Sequence, residues 1–597
     1  MSDSNEVLQA LNNEKKWVFP EQNLAEIPSE VLETQNLSPV LAGMLFRRGL
    51  KNLHDLKSFF RPGLEMLHDP FLMKDMDLAV KRITKALEDG EKIMVLGDYD
   101  VDGTTATALV FRILSAHSPN ISYYIPDRYK EGYGISFAGI DHAVRIGASL
   151  IIALDCGVKA LDKVAYAKDK NIGFIICDHH LPGPELPQAD AILDPKRADC
   201  SYPFKELSGC GVGFKLMQAL SSSLGWDENF LMESLDLVAV SIASDIVPVS
   251  GENRVLLHAG LEKINSAASP GLQALMDIAG LKREGNGLYN LKVERLVFGI
   301  GPRINAAGRI GHGTGAVKLL LAKNEEEANE FAKAIDTQNT ERKELDRNIT
   351  LEALELIDSS EESRNAFSTV LFKDTWHKGV IGIVASRCIE KFHRPTVILT
   401  LSDGKLVGSA RSIHGFDLYT AIDACSEHLI QFGGHYHAAG LTMLPEKLDS
   451  FRLAFEQQVR SRMSREDLQP RLEVDALMEP SDLNGTFFRW VDRIGPFGPG
   501  NMNPMFVMKG VRNSGQSRLL DNKSGGPGHI KFSITHESLQ HEGQNYVLEG
   551  IGFSMGESWH LLESGSKFDL AFHLEENNFR DKKSIQLAVK EIRASES

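Results

Sequence analysis

Apolar and polar positions follow three successive patterns along the chain. Over 38–62, Leu41, Leu45, Leu50, Leu53, Leu56 and Phe59 recur at mostly helical spacing among Arg47, Arg48, Lys51 and Lys57, which predicts a small helical lead-in. Short uncharged runs follow at 93–96, 123–125, 150–154 and 174–177, separated by amphipathic stretches such as 160–170. Runs of this length, spaced by helices, predict a parallel sheet buried on both faces and built from βαβ units. Residues 324–358 contain neither Gly nor Pro and carry Phe331, Ile335, Leu345, Ile349 and Leu356 among many charges. At about 1.5 Å per residue they could form one helix of about 50 Å, long enough to join two domains.

After that helix, 367–372 and 396–401 read as strands of a second α/β domain, and 506–508, 530–534, 546–553, 568–574 and 585–589 read as a five-strand barrel or sandwich. The expected fold is α/β, with two α/β domains joined by a long helix and a C-terminal β-barrel. The expected division is 1–75 for the lead-in, 76–260 and 361–465 for the α/β domains, 261–360 for the connector and 466–597 for the barrel.

Composition narrows the classes. The 597 residues carry 65 Lys+Arg against 81 Asp+Glu, a net charge of −16, with 42% hydrophobic residues, which excludes disorder as the main state. No stretch approaches the ~18–20 uncharged apolar residues of a membrane span, and the N-terminus lacks a basic-then-apolar signal, so a cytoplasmic location without membrane contact is expected. The six cysteines form no CxxC pair, which argues for buried free thiols over a disulfide framework or structural zinc. The acidic balance disfavours a uniformly positive surface but leaves room for a local basic groove. One candidate groove is the stripe Lys509, Arg512, Arg518, Lys523 and Lys531 in the barrel region, of the kind that tracks a strand's backbone; its bland alternative is a charged loop.

The strongest chemical signal lies just after the apolar runs. GDYDVDGTT places Asp98, Asp100 and Asp102 after the first, DCG places Asp155 after the third, and Asp178-His179-His180 follow the fourth. A further run over 237–244 ends in Asp245. In a parallel α/β sheet the carboxyl ends of the strands open into one crevice, so all four motifs at strand ends would converge. Unpaired, such carboxylates would repel one another; divalent cations resolve the repulsion. Oxygen-rich ligation with imidazole favours Mn²⁺ or Mg²⁺, and the number of carboxylates suggests two ions. Two ions about 3.5–4 Å apart can activate a water and clamp phosphoryl oxygens, which is phosphoester hydrolysis. A lone DxDxD or a lone His-His pair would carry little weight, and the ordered combination carries the argument. The P-loop pattern GxxxxGK[ST] is absent, so motor activity has no support.

Two more clusters suit a phosphate-bearing strand. GSARS offers Ser409 and Arg411, and GGHYHAAG is a Gly-rich turn carrying His435; a guanidinium fork and an imidazole can hold phosphate oxygens. IPDRYKEGYG, with Arg128, and GPRINAAGR, with Arg303, read as loops in which basic groups and aromatics suit a single strand.

In order, GDYDVDGTTA, LDCG, DHH, SDIVP, GSARS and GGHYHAAG closely resemble the DHH phosphoesterase superfamily with its DHHA1 companion domain. IPDRYKEGYG, GPRINAAGR and RIGPFGPGNMNPMF resemble, within it, the RecJ family of bacterial single-strand-specific 5′→3′ DNA exonucleases, and the resemblance runs from about Leu37 to the C-terminus. It implies a DHH catalytic domain, a DHHA1 substrate-binding domain and an OB-type barrel. It implies Asp100, Asp102, Asp155, His179 and Asp245 as metal ligands, Asp178 and His180 as groups that hold the site or assist at the phosphate, and Asp98 as a ligand or a ligand's partner. Many smaller members have a histidine four residues before the first paired Asp; Leu96 stands there, so the division of ligands around Asp98 stays open. Ser409, Arg411 and His435 are implied at the substrate phosphate, with Arg128 and Arg303 at a 5′-terminal phosphate.

The expected activity is metal-dependent 5′→3′ hydrolysis of single-stranded DNA to mononucleotides in repair and recombination, by a monomer, with single-strand-binding protein and a helicase as partners by analogy. The strand is expected to thread between the two α/β domains across the helix, fed by the barrel. Two alternatives are a superfamily relative acting on short oligonucleotides, cyclic dinucleotides or pyrophosphate, which the extra barrel disfavours, and a scaffold without metals, which the intact acidic motifs disfavour.

Overall fold

A computed structural model describes residues 15–21, 37–522, 526–541, 544–545, 547–579 and 582–595. Two residues of the expected features, Lys523 and Tyr546, lie outside them, as does much of the lead-in. The chain forms two compact units: Met1–Lys16, His68–Asp245 and Ala259–Pro470 in one, Trp17–Leu67, Ile246–His258 and Arg471–Ser597 in the other. Among the described residues no helix is long and apolar enough to cross a membrane.

Among the described residues the lead-in includes α1 (Pro39–Arg47), capped by Ser38, and α2 (Leu53–Phe60), capped by Asn52. The predicted runs then become strands β1 (Ile93–Gly97), β2 (Ile121–Tyr124), β3 (Leu150–Leu154), β4 (Gly173–Cys177) and β5 (Ala191–Leu193), all parallel in the order β2-β1-β3-β4-β5. The order reverses between β1 and β3, and in an open α/β sheet ligands bind at the carboxyl ends beside that reversal. Helix α3 (Val101–His117) leaves β1 so closely that a Cβ on Gly103 would lie 2.6 Å from the Asp98 nitrogen, so glycine is needed there.

One expectation fails here. The run ending in Asp245 is a helix, α5 (Leu235–Ser244), which follows α4 (Gly209–Leu224), so Asp245 caps a helix end and follows no strand. A short apolar run buried on all sides reads the same in either state, because burial erases periodicity. GPRINAAGR is likewise not a loop: a π-turn over Leu296–Ile300 leads into helix α6 (Gly301–Ile310).

The long charged stretch is one helix, α7 (Glu325–Asp358), of 34 residues. Asn324 caps it by accepting from the Glu327 N–H, and Glu325, Glu326 and Glu327 in its first turn complement the helix dipole. Beyond it a second sheet comprises β6 (Thr369–Phe372), β7 (Thr396–Ser402), β8 (Lys405–Arg411), β9 (Gln431–His435) and β10 (Ala438–Met443), ordered β9-β10-β8-β7-β6 and antiparallel except for β6–β7.

In the second unit, β11 (Phe506–Asn513), β12 (His529–Thr535), β13 (Leu548–Gly552), β14 (Phe568–Phe579) and β15 (Lys582–Ala594) pair in the order β11-β14-β15-β13-β12, and β12 pairs back with β11. That closes five strands into a barrel, and two short strands, Ala476–Leu477 and Arg518–Leu520, pair onto β11 and β12. Leu41, Met44, Leu45 and Leu56 of the N-terminal helices share one core with Phe506, Phe532, Phe568 and Phe572 of the barrel. The lead-in thus finds its apolar partner some 450 residues downstream in sequence. Of the basic stripe, Arg518 lies in register with Lys531, whose ammonium is 3.4 Å from Glu549.

Candidate active site

The first sheet brings three of the acidic motifs together, and the end of α5 adds the fourth. Asp98 follows β1; Asp100 caps α3, accepting from the Gly103 N–H at 3.0 Å; and Asp102 sits in that helix's first turn. Asp155 follows β3 in the left-handed region (φ 59°), turning its side chain back over the sheet end, and His179 follows β4. His179 Nε2 is 3.2 Å from Asp155 Oδ1, 3.5 Å from Asp245 Oδ2 and 3.7 Å from Asp102 Oδ2.

Two overlapping groups, Asp102/His179/Asp245 and Asp155/His179/His180, each have donor atoms within 4.8 Å of one another. Asp98 Oδ2, Asp155 Oδ1, Asp245 Oδ2 and both nitrogens of His179 are buried without a hydrogen-bond partner. Orphaned buried polar atoms are costly, and a set of carboxylate and imidazole donors aimed at one another is what divalent cations satisfy. The residues therefore fit the expected ions. Burial, then the charges of Asp102, Asp100 and Asp245, pushes the Asp155 carboxyl well above the usual carboxylate range, and burial, Asp102 and Asp100 do the same to Asp245.

Neighbouring groups fix these donors. Asp102 Oδ2 accepts from the Gly209 N–H at 2.6 Å, and Oδ1 from the Cys210 N–H at 2.8 Å, both at the N-terminus of α4, while the Ser241 hydroxyl of α5 lies 2.7 Å from Oδ1. A Cβ on Gly209 would come 2.6 Å from that of Asp155, so only glycine lets this N–H reach Asp102. Asp178 accepts four hydrogen bonds: Oδ1 from the His179 N–H (2.8 Å), the His180 N–H (3.2 Å) and His180 Nδ1 (2.7 Å), and Oδ2 from the Val158 N–H (2.9 Å). Burial alone would raise its pKa, but the His180 hydrogen bond and charge hold it well below the carboxylate range; reciprocally, Asp178 outweighs the burial of His180 and raises that imidazole's pKa. Asp178 thus orients the His179-His180 turn. Asp98 accepts from the Gly134 N–H at 3.1 Å through Oδ1, leaving Oδ2 free.

Cations gather in the same unit. Arg411, ending β8, donates through Nη1 to Ser409 Oγ (3.0 Å) and the Ala410 carbonyl (2.8 Å). His435 ends β9, and Tyr436-His437 form the two-residue turn into β10, so the Gly-rich segment is a β-hairpin. Burial and then His437, Arg411 and His180 lower the His435 pKa, which puts this imidazole in electrostatic reach of both sheets' site residues. Arg128 lies over the Tyr99 ring at 4.9 Å, and burial and Arg128 lower the pKa of Arg411.

Arg303 does not join them. Its Nε donates to Asp336 of α7 at 2.8 Å and its Nη1 to the Gly299 carbonyl at 2.6 Å. Arg309 is the member that sequence reasoning passed over: burial, then Arg128 and Arg411, push its guanidinium down to about 10, and its Nη1 donates to the Gly379 carbonyl at 3.1 Å. Six residues along a helix turn the side chain by about 240°, so recognising α6 as a helix would have separated the two arginines. Sequence reasoning also did not single out Tyr133, whose hydroxyl is 3.1 Å from the Asp155 carbonyl and 3.3 Å from His180 Nε2.

Family models match over 92–242 (DHH family, N-terminal domain), 365–461 (DHHA1 domain) and 474–591 (RecJ OB domain). The single-stranded-DNA-specific exonuclease RecJ of Bacillus subtilis is 34% identical over 588 residues, 98% of this chain and 72% of that protein; the Escherichia coli protein of the same name is 33% identical over 586 residues, 95% of this chain and 97% of its own. The crystal structure of RecJ in complex with Mn²⁺ from Thermus thermophilus superposes with a TM-score of 0.80 at 26% identity, covering 98% of this chain and 80% of that one, and the Mg²⁺ complex gives 0.73. The ordered acidic motifs, the second sheet and the barrel are accounted for together by this likeness, and the chain belongs to the RecJ family.

Proposed function

We propose that this chain is a metal-dependent exonuclease that hydrolyses single-stranded DNA from the 5′ end, releasing mononucleotides in repair and recombination. The observation that carries the reading is the set of unpartnered buried donors around His179 in the same unit as Arg128, Arg309 and Arg411. Asp102, His179 and Asp245 would hold one divalent ion and Asp155, His179 and His180 a second, with Asp98 and Asp100 adjacent; Mn²⁺ or Mg²⁺ there supplies Lewis acidity and activates water. Arg411, with Ser409 beside it, binds a phosphate of the strand bidentately, and Arg128 and Arg309 attract the terminal phosphate. His435 donates to a phosphoryl oxygen. Asp178 keeps the His180 ring oriented toward the scissile bond. A single strand is selected because its bases can splay between two α/β domains where a duplex is too wide.

We further propose a cytoplasmic, monomeric enzyme served by a helicase and a single-strand-binding protein; the six buried free cysteines suit a reducing compartment. The test is to incubate the purified chain and Mn²⁺ with single-stranded DNA labelled at either end, duplex DNA, short RNA and a cyclic dinucleotide. Mononucleotides released from the 5′ end of single strands support the reading. Turnover confined to the cyclic dinucleotide or short RNA overturns it.

A further inference from the structure

Ile246–His258 belongs to the barrel's unit, although the residues on either side of it belong to the other. It begins one residue after Asp245, whose carboxylate lies 3.5 Å from His179 Nε2. Ile246 is in the left-handed region (φ 60°), where a β-branched side chain is out of place, and it is 78% exposed, so its own packing does not hold that conformation. Such a conformation persists only where its neighbours dictate it. Upstream, the Asp245 N–H donates to the Ser241 carbonyl at 3.0 Å and closes α5. Downstream, the dictating group is the segment RIGPFGPGN over 493–501, which no step of the proposed function uses.

Arg254 is buried and donates to three backbone carbonyls: through Nε to Phe59 (3.1 Å), through Nη1 to Pro496 (3.4 Å) and through Nη2 to Gly495 (2.8 Å). The Val249 N–H donates to the Pro499 carbonyl at 2.7 Å. Gly498 lies so close to Val249 that a Cβ there would come 2.5 Å from Val249 Cγ2. The turn is braced from within, since the Asn501 amide donates to the Ile494 and Pro496 carbonyls, both at 2.9 Å. A guanidinium fork spent on backbone carbonyls fixes the path of the chain, and here it fixes the stretch that leads back to Asp245.

We infer that Arg254 and the Gly495–Asn501 turn are positioning elements for Asp245: by clamping Val249 and Arg254 they hold the left-handed Ile246 link, and the link holds the Asp245 carboxylate at His179. The inference rests on the metal assignment within the exonuclease reading and adds to it a support drawn from the barrel's unit. The support touches neither ion nor strand, so it acts on how well Asp245 is placed and leaves the capture of DNA alone.

The test is isothermal titration of the full chain and its variants with Mn²⁺, alongside kcat and KM on single-stranded DNA. Gly498→Ala should drive its new methyl into Val249, whose β-branched side chain has no second rotamer to offer at low cost, and so shift the link to Asp245. Mn²⁺ affinity should weaken about tenfold, and kcat should fall with KM nearly unchanged and recover as Mn²⁺ is raised. Adding Val249→Ala removes the obstructing methyl and should return the affinity to within about threefold of the unaltered chain. Arg254→Lys keeps the charge, loses the fork and should weaken Mn²⁺ in the same way without any clash, which decides the matter if Gly498→Ala does not fold by circular dichroism. Unchanged Mn²⁺ affinity in folded Arg254→Lys overturns the inference. So does a loss in Gly498→Ala that Val249→Ala fails to restore, which would be damage to the barrel alone. The titration needs no DNA and no turnover, so an unaltered chain that shows this Mn²⁺ pattern but hydrolyses no single strands would count against the exonuclease reading alone.

Discussion

The carboxylate–imidazole cluster at the ends of β1, β3 and β4 and the guanidinium cluster of Arg128, Arg309 and Arg411 hold their charges by different means. Asp102 takes two backbone N–H donors and a hydroxyl, and Asp178 takes three N–H donors and an imidazole, so backbone geometry sets these oxygens. Arg411 and Arg309 instead spend only part of their fork on neighbouring carbonyl or hydroxyl oxygens; burial and then the charge of Arg128 lower the pKa of both, and Arg411 lowers that of Arg309 further. The acidic side is preorganised and short of cations. The basic side is crowded and short of an anion. A phosphodiester with divalent ions relieves both shortages at once, which is why neither half makes chemical sense alone.

The contrast can be broken most directly at its centre. His179→Ala removes the one residue common to both donor groups, and hydrolysis of single-stranded DNA should fall by at least about a thousandfold with the fold intact by circular dichroism. Retained turnover would remove the metal assignment. On the basic side Arg411→Ala deletes charge-assisted hydrogen bonds worth about 1.5–3 kcal/mol, so kcat/KM should drop about 10–100-fold and the salt dependence of binding should flatten. Arg411→Lys should recover only part, because an ammonium cannot form the fork.

A smaller effect tests whether preorganisation matters. Ser241→Ala leaves every candidate ligand in place but removes a hydroxyl 2.7 Å from Asp102, and Mn²⁺ affinity by isothermal titration should weaken about tenfold. The smallest change is expected at Arg303→Ala. Its partner is Asp336 on α7, so activity should stay within about fivefold of the unaltered chain, the scale of a partly exposed ion pair, whereas Arg309→Ala should behave like Arg411→Ala. A large loss at Arg303 with none at Arg309 would reverse the assignment of the phosphate cluster.

Much of the fold and of the acidic site is legible in local pattern. The run at 93–96, the charged stretch that became α7 and the five barrel strands each announce themselves within a window of a few residues to a few turns, because side-chain periodicity follows from backbone geometry. The order of acidic motifs after apolar runs is legible for the same reason, since a parallel sheet sends its carboxyl ends to one side. Asp245 shows where this stops: its apolar run is α5, a helix buried on all faces, which carries no period to read.

What the sequence determined by itself is the inventory: which residues can ligate ions, which of the periodic segments are helix or strand, and that two α/β sheets and a barrel follow one another. Tertiary structure decided which members of that inventory meet. It brought Asp245 to His179 from a helix end, enclosed Asp178 in four hydrogen bonds, tied Arg303 to Asp336 while leaving Arg309 with Arg128 and Arg411, pinned the Tyr133 hydroxyl beside Asp155, and seated α1 and α2 in the barrel's core. Periodicity is a property of neighbours in the chain. Convergence depends on packing between segments hundreds of residues apart, and on which face of each helix that packing turns inward.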